Sequence, residues 1–130
     1  AGQYASNAAD LRDNFWEAEL IHAKALKLQN DTVQAIDILS DSVNLNPYNL
    51  TLREELGIYL IDALELDKAK EQLQIIISLE SNHANAHFWL AIVYELQNDI
   101  EKAISELETV LETNPENEIV IQKLSTLREE

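Results

Sequence analysis

His83 and His87 stand four residues apart, with Glu80 three residues ahead of them. On a helix that spacing offers two imidazoles and a carboxylate to a divalent metal. One pair with one acid is a weak ligand set, and histidines at a helix start commonly face water, so no metal and no cofactor is expected. The neighbours Glu54-Glu55 and Glu129-Glu130 have the residue types of acid–base chemistry. With 24 Asp and Glu in 130 residues, however, such neighbours arise by chance. The chain has no Cys, no Gly-rich phosphate loop, no nucleophile elbow and no H-E-x-x-H, and no enzyme is expected. Asn30-Asp31-Thr32 and Asn49-Leu50-Thr51 match the glycosylation acceptor pattern, which matters only in an exported protein. A chain beginning at Ala1 fits a processed exported precursor, and equally a cytoplasmic chain that has lost its Met.

Any chemistry would have to be positioned by helices. Apolar residues recur at three and four, as in Leu56, Leu60, Ala63 and Leu64, and no stretch alternates as a strand would. Asn-Asp and Asn-Pro pairs break the pattern, because Asn and Asp cap helix starts and Pro halts the helix before it. Helices are predicted over roughly 14–29, 32–45, 48–64, 67–79, 84–96, 100–112 and 117–128. An apolar content of 46% is too high for a disordered acidic tail. Nine Lys and Arg against the 24 acids give a net charge of −15, which repels nucleic acid and anionic membranes alike. Apolar runs such as Ile75-Ile76-Ile77 are too short for membrane insertion.

The breaks are evenly spaced. Ala35, Ala69 and Ala103 lie 34 residues apart, and so do Leu39, Leu73 and Leu107. Ala23, Gly57 and Ala91 make a column of small residues, and Leu26, Leu60 and Tyr94 a large apolar one. Two antiparallel helices approach closely only where side chains are small, so the columns mark a helix crossing that is repeated along the chain. A 34-residue period with two helices per period resembles the tetratricopeptide repeat. The resemblance implies an all-α, right-handed helical-hairpin solenoid in one domain. Its repeats would span 16–49, 50–83 and 84–117, flanked by half-repeats at 1–15 and 118–130. Glu19, His22 and Arg53 depart from the apolar residues usual at their places.

The resemblance implies a concave face lined by the first helix of each repeat, which grips a peptide. The groove residues would be Leu20, Lys24, Leu28, Ile58, Ile61, Phe88, Trp89 and Ile92, with the two aromatics as its anchor or as packing between repeats. Members that hold a chaperone's terminal carboxylate use a clamp of basic residues and Asn. The corresponding positions here are Leu20, Lys24, Glu55, Asn85 and Trp89, with one cation, so such tails are disfavoured and an apolar or basic segment is preferred. A further expectation concerns the ends. Ala1, Ala5 and Ala8 fall in the register of Ala35, Leu39 and Ser42, that is, of a second helix without its first. Ile121, Leu124 and Leu127 belong to a first helix without its second. Four periods of 34 need only six residues more than the 130 present. The first reading of function is therefore a structural module whose ends complete one another between molecules, head to tail, as a filament or ring, and the alternative is an adaptor that binds an apolar or basic peptide in the groove. For the ends themselves the alternatives are a slice of a longer array, or residues 1–12 simply lengthening the first helix.

Overall fold

Residues 2–129 fold into seven helices in a computed structural model, which describes their backbone and the side chains of residues 15–129. The helices are α1 (Gly2–Leu28), α2 (Thr32–Leu45), α3 (Leu50–Asp62), α4 (Leu66–Leu79), α5 (Ala84–Leu96), α6 (Ile100–Thr113) and α7 (Glu118–Glu129). The helix starts repeat at the expected spacing. Asn49, His83 and Asn117 accept the N–H three residues on, at 3.1, 3.1 and 3.2 Å. Asp31 and Asp99 do the same for Gln34 and Lys102, whereas Glu65 between them makes no such bond. Just before these three residues, Asn30, Leu64 and Asn98 each adopt a left-handed conformation, with φ of 65°, 59° and 63°. The turn that folds each hairpin is therefore one structure used three times.

Each helix packs on its neighbours in sequence, giving hairpins α1–α2, α3–α4 and α5–α6 with α7 laid on the last. α3 also meets α5, which brings the first helices side by side. Ala23, Gly57, Ala91, Ala35, Ala69 and Ala103 are all buried at the crossings. A methyl added to Gly57 would sit 3.2 Å from the Leu73 side chain, a tight approach that Leu73 would have to ease by a few tenths of an ångström. Leu39, Leu73 and Leu107 fill the space beside it and are fully buried.

The N-terminal end differs from the expected half-repeat. α1 runs unbroken through residues 12–14, the register of the turns at Pro47, Ser81 and Pro115. Asp13-Asn14 contains neither Pro nor Gly to stop it. Residues 2–12 therefore continue the first helix instead of folding back as a second one. Ala1, and the side chains of Ala5 and Ala8, lie outside the described residues.

Candidate functional site

Clefts open on the face where the first helices lie side by side. Between α1 and α3 a cavity of about 450 Å³ is lined by Lys24, Lys27, Leu28, Glu55, Ile58 and Tyr59. Between α5 and α7 a second, of about 380 Å³, is lined by Phe88, Glu95, Ile119, Gln122, Lys123, Thr126 and Leu127. A third, of about 240 Å³, adjoins it and shares Phe88 and Ile119.

Most charges in these clefts are already paired. Lys27 lies 2.6 Å from Asp62 and 4.6 Å above the Tyr59 ring. Lys123 lies 2.8 Å from Glu95. Lys24 is exposed. Tyr59 is itself buried, and burial pushes its phenol up to about 12, helped by the Glu55 charge, a hydrogen bond to Glu55 and the Asp62 charge.

The structure divides the expected groove residues into three groups. Lys24, Leu28, Ile58 and Phe88 line clefts. Trp89 and Ile92 are half-buried against the core of α1–α5, and Trp89 meets Phe88 edge-on with ring centroids 5.5 Å apart. Leu20 and Ile61 are 9% and 7% exposed and belong to the core. The helices around α3 cover more of it than one apolar stripe requires, so a residue read as facing the groove is taken up by packing. At the C-terminal end Leu124 and Leu127 are likewise buried, within this chain, while Ile121 is exposed. Sequence reasoning missed Tyr59, Ile119 and Lys123. The signal for Ile119 was present: the same place in the preceding repeats holds Glu17, Thr51 and Asn85, all polar.

The histidines act within the fold. His83 Nδ1 caps α5, and its Nε2 faces Glu54 at 3.8 Å. His87 is 8% exposed; it bonds the Ser81 carbonyl through Nε2 and Glu106 through Nδ1. Arg53, 34 residues earlier, does the same job: its Nε donates to the Pro47 carbonyl and its Nη1 to Gln72, both at 2.8 Å. Each of these polar residues ties the preceding loop and the following second helix to its own first helix. Among the described residues no group of three His, Cys, Asp or Glu is placed to hold a metal, and no helix is long and apolar enough to cross a membrane.

This architecture agrees with known proteins. BBSome complex member BBS4 from Bos taurus is 28% identical over 105 residues, covering 81% of this chain and 20% of that protein. The chain thus spans about a fifth of the length of the curated relatives it matches. Among solved structures, the first TPR of Spaghetti (RPAP3), bound to the HSP90 peptide SRMEEVD, superposes with a TM-score of 0.80 at 18% identity, covering 86% of this chain and 89% of that one. The crystal structure of MamA superposes with a TM-score of 0.81 at 23% identity, covering 95% and 72%. At these identities the two structures speak for the fold alone. The tetratricopeptide repeat model matches residues 60–126, just over half of the chain. The chain belongs to the tetratricopeptide repeat family.

Proposed function

We propose that this domain is a non-catalytic protein-interaction module that holds an apolar or basic polypeptide segment along its first-helix face. The observation that carries the reading is the set of clefts there, lined by Leu28, Ile58, Phe88 and Ile119. Apolar, partly formed clefts are the usual seats for a partner's anchor side chains. The net charge of −15 draws basic segments toward the domain and slows acidic ones. An acidic tail like the SRMEEVD carried by the Spaghetti domain is expected to bind poorly, because Lys27 and Lys123 already hold carboxylates. Fluorescence anisotropy with labelled Leu/Lys-rich peptides against SRMEEVD tests the reading. Equal affinity for the two, or none for either, refutes it.

A second reading is head-to-tail self-assembly. It is favoured by α7, whose exposed Ile121 and Ser125 occupy the places that His87 and Ala91 turn toward α6. It requires α1 to break near residue 13 so that residues 2–12 can fold back. Light scattering over a range of concentration and salt tests it, and a monomer throughout refutes it.

A further inference from the structure

We propose that the α5–α7 cleft with its adjoining cavity is the anchor subsite of this face. Its ligand is an internal, extended segment of a partner protein, with one bulky apolar side chain flanked by basic residues. The proposal rests on the groove reading and states where in the groove the partner is held, and by what chemistry.

Ile119 is 68% exposed, although the three equivalent positions are polar, so the packing of a first helix does not call for an apolar residue there. Phe88 stands beside it, lines both cavities and meets edge-on the ring of Trp89, which is half-buried against the core. An aromatic so placed offers contact area with little rotamer freedom to lose on binding.

Carboxamides surround this apolar centre: Asn85 and Asn114 line the smaller cavity, with Asn117, whose Oδ1 already accepts from the Val120 N–H, and Gln122 lines the larger. A carboxamide both accepts and donates, as a peptide unit does, so these groups suit a partner's main chain. The cation lining the cleft, Lys123, is 2.8 Å from Glu95 and leaves a terminal carboxylate without a countercharge. Glu116, just before α7, and Glu118, its first residue, are exposed on either side of Asn117 and favour basic flanks.

The test uses short acetylated and amidated peptides with a central Phe or Ala, flanked by Lys and Ser or by Glu and Ser. The Phe-centred, Lys-flanked peptide is expected to bind best. Ile119→Asn, which copies Asn85, is expected to weaken it about tenfold or more while leaving helicity unchanged. Leu28→Asn, in the α1–α3 cleft, is expected to weaken it less than Ile119→Asn does, and Val33→Asn, exposed on α2 outside the clefts, to leave it as it was. If binding survives Ile119→Asn and is lost in Leu28→Asn, the groove reading stands and this subsite is wrong. Tighter binding on freeing the peptide's carboxylate overturns the internal-segment assignment. No binding of any peptide to the unaltered domain removes both readings.

Discussion

Ser42 is fully buried on α2, and its hydroxyl finds no hydrogen-bond partner among the described residues. The same place in the next two repeats holds Ile76 and Val110, so the hydroxyl is a local cost. Ser42→Ala is expected to raise stability by about 1 kcal/mol in urea unfolding, since it removes an unsatisfied polar group. Glu19 carries a related cost. Burial, and then the charge of Asp41, raise its carboxyl above the ordinary value of 4.5. The protonated form is favoured in the fold, so the cost grows as pH rises through the folded value. Glu19→Gln is expected to stabilise the domain at neutral pH, with the gain vanishing in acid; a gain independent of pH would locate the effect elsewhere. Tyr59 works at the other end of the scale. Its phenol stays neutral to about 12 in the fold and ionises near 10 when unfolded. Its contribution is complete below pH 10 and is lost between 10 and about 12, on the order of 2–3 kcal/mol. Tyr59→Phe is expected to flatten that alkaline limb in denaturant titrations.

At the scale of the element, the middle hairpin has the weakest turn. Leu64 takes the left-handed conformation that Asn30 and Asn98 adopt with less strain, and it is 70% exposed, so little burial is at stake. Leu64→Asn is expected to add about 1 kcal/mol, read as a higher melting temperature. Six of the seven helices were legible to within about two residues, because the 34-residue period repeats the caps as well as the apolar columns. The start of α1 was not legible: nothing between Asp10 and Phe15 breaks a helix, and register alone suggested a turn. Of the residues read from sequence as groove, Phe88 and Lys24 line clefts, whereas Leu20 and Ile61 are buried in the core. A period of 3.6 tells which residues share a face, but not how many neighbours close upon it. Arg53 looked like a departure, and His87 like half of a weak metal pair, for the same reason, since their partners lie on other helices.

For the whole molecule the charge of −15 dominates. Self-repulsion favours the expanded chain, so the unfolding midpoint is expected to rise with added sodium chloride as the repulsion is screened. At the C-terminal end α7 is held by Val120, Leu124 and Leu127. Leu124→Asp is expected to strip hydrogen-exchange protection from residues 118–129 while α3–α5 keep theirs; loss of protection everywhere would make α7 part of one cooperative unit. That helices rest chiefly on their neighbours in sequence also bears on how the protein is made. Contacts this local form quickly, without waiting for distant partners. On the ribosome, α1 and α2 can close on each other once α2 has left the exit tunnel, and each later hairpin then settles on a surface already built. The growing chain shows its apolar face only for the time needed to synthesise one more helix.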